Sequence, residues 1–162
     1  MTISQPITVI DIEASGLGPY TYPIEIGIAH RALSGGTLYT WESLIRPASV
    51  WVTEYDWIES CQDIHGMTPS DLKEAPQITD VIDAMETFLD GMTSLISDNP
   101  FHDNRWLETL YQQDAKGRKP PKLHWPTDLD RNQIIGAREN QKHRAREDAT
   151  QILLEIEKAR KQ

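Results

Sequence analysis

An α/β layered domain is predicted by three features of this chain: β-branched segments near the N-terminus that alternate with period two, later segments whose apolar residues recur at helical spacing, and glycine- and proline-rich breaks between them. Residues 7–12 (Ile-Thr-Val-Ile-Asp-Ile) lie between Pro6 and the run Ser15-Gly16-Leu17-Gly18-Pro19, which predicts a strand ending at about Glu13. Residues 24–29 alternate in the same way, and residues 37–45 follow the turn Ser34-Gly35-Gly36, so the first three strands read as an antiparallel meander. An irregular stretch covers 46–76, with a short helix expected over 55–63 and a turn at 65–69; loops of that length commonly carry function. From Ile78, residues Val81, Ile82, Met85, Phe88 and Leu89 keep helical spacing until Gly91, where a glycine ends a helix at low steric cost. Residues 94–97 read as a fourth strand, and Trp106, Leu107, Leu110 and Tyr111 mark one face of the next helix. A basic, proline-containing loop at 116–122 leads to an edge strand near Leu123, His124 and Trp125. The last helix shows Ala145, Ala149, Ile152, Leu153 and Ile156 on one side, with Lys158, Arg160 and Lys161 in its final turns, where cations suit the helix dipole. The order β-β-β-α-β-α-β-α gives a mixed five-stranded sheet flanked by helices, and 162 residues without an interdomain linker suit one domain over 1–162.

Hydrophobic residues make up 38% and charged residues 25%, a balance that supports a buried core and argues against a disordered or collagen-like chain. No apolar run exceeds three residues, and residues 1–6 hold no basic segment followed by an apolar one. A membrane span and a secretory signal are therefore not expected, and a cytoplasmic location is. Cys61 is the single cysteine, which excludes an internal disulfide and a cysteine-built metal cage, so any metal must be held by oxygen or nitrogen. The net charge of −9 argues against binding nucleic acid through general surface charge. That charge is uneven: residues 1–115 carry 4 basic and 18 acidic side chains, a balance of −14, whereas 116–162 carry 12 and 7, a balance of +5. A metal-neutralised acidic site beside a basic surface accounts for the asymmetry, and so do solvated faces of opposite sign.

Asp11 and Glu13 are two apart in a strand, so their side chains share one face with Val9. Two carboxylates near the end of a core strand are costly unless a positive group compensates them, and hard divalent cations prefer such oxygens. The same triplet also fits a pair of exposed acids just past a strand end. His143 and Asp148 are five apart at the start of the last helix, a spacing that turns side chains about 140° from each other within regular helix. Both address one site only if His143 precedes the helix and Asp148 lies within it. A neutral imidazole can take a proton from water, and Asp148 can add a third carboxylate; a surface histidine and a solvated aspartate fit the sequence too. Asp103 falls between the fourth strand and a helix, where it can cap that helix by accepting backbone N–H bonds, and Asp98 and His102 compete for any further role.

Taken together, these segments resemble the DEDDh 3′–5′ exonucleases of the ribonuclease H-like superfamily, which include proofreading subunits, ribonuclease T and oligoribonuclease. The resemblance spans almost the whole chain. Asp11-Ile12-Glu13-Ala14-Ser15-Gly16-Leu17 resembles the first motif, Asp-x-Glu with a Ser/Thr-Gly-Leu loop, and Ile64-His65-Gly66-Met67-Thr68 is similar to a second family segment. Asp103-Asn104-Arg105-Trp106-Leu107 resembles the second exonuclease motif, and His143 with Asp148 matches the third, His-x₄-Asp. Two departures stand out: the aromatic residue usual just before the second-motif aspartate appears one place early as Phe101, with His102 between, and Met67 replaces a β-branched residue.

The resemblance implies a ribonuclease H-like exonuclease fold. It also implies that Asp11, Glu13, Asp103 and Asp148 hold two Mg²⁺ or Mn²⁺ ions, with His143 as the general base. Ser15, Gly16 and Leu17 would meet the 3′ end, with Leu17 wedged at the last bases, and Ile64, His65 and Met67 would line the terminal-base pocket. The expected partner is a single-stranded DNA or RNA 3′ end, with 5′-mononucleotides as products; related enzymes are frequently dimers, so a homodimer is an expectation too. Arg118, Lys119, Arg138, Lys142, Arg144 and Arg146 form the basic set that would steer a strand. The five tryptophans read as core anchors, with Trp125 the one near enough to basic residues to stack on a base. The other reading on the same fold is a non-catalytic nucleic-acid-binding or adaptor domain, which has no need for converging carboxylates.

Overall fold

The computed structural model describes residues 5–136 and 143–162. Its centre is β1 (Ile7–Ala14), which pairs antiparallel with β2 (Pro23–Arg31) on one side and parallel with β4 (Ser94–Ile96) on the other. Strand β3 (Tyr39–Leu44) pairs antiparallel with β2, and β5 (Lys122–His124) pairs parallel with β4, so the five-stranded sheet has the order β3-β2-β1-β4-β5. The mixed sheet and its meander are as the alternation predicts.

Alternation along β1 and β2 divides the interior into two layers. Ile10 and Ile12, with Ile24, Ile26 and Ile28, face a core built with Trp51 and the helices α3 (Ile78–Leu89) and α4 (Pro100–Tyr111). Ile7 and Val9, with Ala29 and Ile96, face the other way and pack against Ala149, Ile152, Leu153 and Ile156 of α6 (Ala145–Arg160). Each fully buried Ile or Leu contributes about 1.5–3 kcal/mol relative to exposure, so the two layers dominate folding. Because Asp11 and Glu13 share parity with Ile7 and Val9, they lie on the α6 side of the sheet.

The opposite strand fits that helix residue by residue. Glu25, Gly27, Ala29 and Arg31 occupy the α6 side of β2, and Gly27 lies across from Asp11. Glu25 takes the start of α6, and Arg31 forms an ion pair with Glu157 near its end at 2.5 Å. A Cβ on Gly27 would fall inside the backbone of Ala145 and Arg146, so the first turn of α6 rests directly on the strand.

The irregular stretch differs from expectation. Helices occupy Ser49–Glu54 (α1) and Glu59–His65 (α2), and residues 55–58 are not helical as the 55–63 reading requires. The reason is tertiary: Asp56 N–H donates to Tyr20 O at 2.7 Å and Ile58 N–H to Ser15 O at 2.8 Å, which holds this segment against the loop after β1. A 3₁₀ turn follows at Pro69–Leu72, closed by a capping box between Thr68 and Asp71. A short helix absent from the sequence reading, α5, spans Arg131–Ile135, capped by Asp130. Among the described residues, no helix is long and apolar enough to cross a membrane.

Candidate active site

Strands β1 and β4 run parallel, and the crevice beyond their carboxyl ends is where α/β sheets commonly bind ligands. A cavity of about 280 Å³ opens there, lined by Asp11, Glu13, Asp98, Asp103 and His143 together with Gly16, Leu17, Ile64, His65, Trp106 and Arg131. Two groups of ligand atoms stand at it, each with all its atoms inside 4.8 Å of one another: Asp11, Asp98 and Asp103 form one, and Glu13, His143 and, behind the lining, Asp148 the other. Adjacent same-face positions of β1 thus head two separate clusters.

Local structure explains each placement. Asp103 sits in the first turn of α4, behind Pro100. The capping role open to it in the sequence is not the one it takes. Its carboxylate accepts a 2.5 Å bond from Ser97 Oγ, and Ser97 Oγ accepts in turn from Asn99 N–H, so the end of β4 fixes the acid. Asp98, which competes with Asp103 in sequence, stands in the same cluster with it rather than replacing it. His143 precedes α6 and Asp148 lies inside its first turn, the arrangement a five-residue spacing requires; His143 Nδ1 is 3.2 Å from Asp148 Oδ2. His143 N–H donates to Ile64 O at 3.0 Å, which ties it to the end of α2.

The acids are expensive where they stand. Burial, reinforced by Glu13, Asp103, Asp98 and Asp148, holds the Asp11 carboxyl well above the usual carboxylate range. Burial and then the neighbouring Asp148 push Glu13 up to about 8, and burial pushes Asp103 up to about 8 against the opposing bond from Ser97. The buried oxygen Asp11 Oδ2 has no hydrogen-bond partner. An orphaned carboxylate oxygen among crowded acids, with hard oxygen donors and one imidazole around it, fits a divalent cation.

The remaining expected contacts divide. Leu17 is 60% exposed at the cavity mouth, and Gly16, Ile64 and His65 line the wall. Ser15 is turned inward instead: its N–H donates to Tyr22 O and its Oγ accepts from Tyr22 N–H. Met67 is buried in the core, and its N–H donates to His65 Nδ1 at 3.1 Å, which leaves the ring proton on Nε2. That Nε2 is buried without a hydrogen-bond partner.

The family model described as Exonuclease (RNase_T) matches residues 8–134. This chain belongs to the exonuclease family. No curated protein sequence matches the chain. Solved structures match it in fold: a full-length 3′-exonuclease at TM-score 0.72 and 14% identity, over 99% of this chain and 62% of that one. E. coli Exonuclease I in complex with a dA16 oligonucleotide matches at 0.70 and 12%, over 98% and 41%. Cell-death related nuclease 4 (CRN-4) matches at 0.63 and 13%, over 98% and 64%. The chain spans less than two thirds of the length of each of these three proteins.

Part of the basic set is paired with acids. Arg118 is engaged by Asp83, Glu86 and Asp114, Arg144 by Glu25, and Arg146 by Glu42 and Glu147. Arg138 and Lys142 lie outside the described residues. Among the described residues, the arginine that lines the cavity is Arg131 of the unforeseen α5, whose Nε donates to Asp98 O. Trp125 is partly buried and donates to Leu129 O, as an anchor would.

Proposed function

We propose that the chain is a metal-dependent 3′–5′ exonuclease of the DEDDh type, acting on single-stranded nucleic-acid 3′ ends and releasing 5′-mononucleotides. The observation that carries this reading is the meeting of Asp11, Glu13, Asp98, Asp103 and His143, drawn from three distant stretches of chain, at one cavity, with Asp148 clustered behind Glu13 and His143. The matched structure of E. coli Exonuclease I with an oligonucleotide supports the substrate class.

Asp11, with Asp103 and Asp98, would hold one cation, and Glu13, with Asp148, a second, either Mg²⁺ or Mn²⁺. Such a pair, when bound, stabilises the incoming and departing oxygens of an in-line phosphoryl displacement. The chain's own residues do the rest. His143, 40% exposed and oriented by Asp148, takes the proton of the attacking water at its free ring nitrogen. Gly16 and Leu17 meet the strand end, and the Ile64 and His65 wall bounds the terminal base.

A 3′-labelled oligonucleotide tests the reading with Mg²⁺, with EDTA and with Asp11→Ala. Stepwise loss of label as mononucleotide, abolished by EDTA and by the substitution, is expected. An intact label on both DNA and RNA across all metals would leave a binding domain as the account, and internal cuts would replace exonuclease by endonuclease.

A further inference from the structure

Arg105 stands two positions after Asp103 on α4 and has no role in the chemistry above. Its Nη2 donates to Leu17 O at 3.0 Å and lies 3.3 Å from His102 Nδ1, while its guanidinium carbon sits 5.7 Å from the centre of the Trp106 ring. The next residue takes hold of the other limb of the same loop: Trp106 Nε1 donates to Thr21 Oγ1 at 3.0 Å, and Thr21 Oγ1 donates to Gly18 O at 2.6 Å. His102 stacks on Trp106 at 5.5 Å, so guanidinium, imidazole and the buried indole form one block along α4.

The flanks of that loop are held at Ser15 O, Gly18 O and Tyr20 O by Ile58, Thr21 and Asp56, and Leu17 itself is held at its carbonyl by Arg105. Leu17 is 60% exposed and Tyr20 65%, and side chains so exposed are not fixed by burial. Their position is set through the backbone, and a charged donor on a carbonyl is the stronger kind of bond for that purpose. The displaced aromatic of the second motif now has a consequence: with Phe101 turned out to solvent, the position before Asp103 is filled by an imidazole whose Nδ1 accepts from Arg105, which a phenyl ring could not do.

We infer that Arg105 is a positioning residue that fixes Leu17 at the mouth of the cavity in constant relation to Asp103. The inference deepens the exonuclease reading and rests on it for the meaning of Leu17. The helical turn that carries the acid also carries the arginine, so the surface met by the strand end and the acid beside the scissile bond move as one body.

Arg105→Met keeps the aliphatic stem and deletes the donors, and Arg105→Lys keeps a cation. Both are compared with wild type by steady-state kinetics on a single-stranded oligonucleotide, by thermal melting, and by amide hydrogen exchange over residues 15–22. Arg105→Met should raise KM about tenfold, the scale of one charge-assisted bond, with kcat within about twofold and the melting temperature nearly unchanged. Exchange at 16–20 should accelerate by a similar factor, and Arg105→Lys should restore part of both effects. Unchanged KM and unchanged exchange would overturn the role, as would kcat and melting temperature falling together at constant KM. Should wild type cleave nothing, the exonuclease reading falls, and faster exchange in Arg105→Met still supports the latch while unchanged exchange overturns it.

Discussion

Glu25 and Arg144 are 119 positions apart and meet at the start of α6, with Nη2 to Oε2 at 2.6 Å and Nε within 3.1 Å of both carboxylate oxygens. Glu25 Oε1 also accepts the Ala145 N–H at 2.7 Å, so one buried side chain on β2 caps a helix from across the sheet. The residue before this pair is His143. Glu25→Ala leaves that N–H and the guanidinium without their acceptor and should cost about 2 kcal/mol or more of stability. Urea denaturation measures the loss, and Glu25→Gln, which keeps an acceptor, should lose less.

Neutralising an acid of the cavity should move activity and stability in opposite directions. Asp11→Asn removes a carboxylate proposed to hold a cation and, for the proposed activity, is expected to lower kcat at least about 100-fold. It also relieves a buried, crowded charge, so the metal-free variant should melt above metal-free wild type. A variant that loses both activity and stability would show that the aspartate is held by the fold for packing.

The raised carboxyls of Glu13 and Asp103 set a pH dependence for the metal-free protein. Protonation of these groups favours the folded state, so their contribution is complete below their ordinary values of 4.5 and 3.8 and is lost as pH rises through about 8. In EDTA, stability should fall between roughly pH 4 and 8 by on the order of a few kcal/mol. Calorimetry with added Mg²⁺ should show the largest gain at the alkaline end, where the carboxylates are ionised.

Gly27→Ala tests how closely α6 rests on the sheet. The added methyl meets the Ala145 and Arg146 backbone, which cannot rotate away as a side chain could. A loss of about 3 kcal/mol is expected by denaturation, with reduced kcat because His143 and Asp148 ride on the displaced turn.

The sheet and the shared face of Asp11 and Glu13 were legible because they follow period, and five residues at 100° each require His143 outside and Asp148 inside the helix if both address one site. What periodicity could not reach was settled by contacts between distant segments. Residues 55–58 leave the helix because the loop after β1 takes the N–H groups of Asp56 and Ile58. Ser15 looks like a ligand-facing loop residue, yet Tyr22 occupies both its N–H and its hydroxyl. Asp98 joins Asp103 rather than competing with it, since a strand end and a helix start converge there. A run of arginines reads as a free basic surface until their acidic partners, scattered from Glu25 to Asp114, are brought beside them.

Those paired arginines have a kinetic meaning. With Arg118, Arg144 and Arg146 each answered by an acid and the whole chain at −9, a polyanionic strand is expected to approach against a repulsive field rather than be drawn in from a distance. Added monovalent salt shortens the reach of that field to about 8 Å at physiological strength. For the proposed substrate, kcat/KM should therefore climb from low to moderate ionic strength, opposite to the decline found where a basic groove collects the strand.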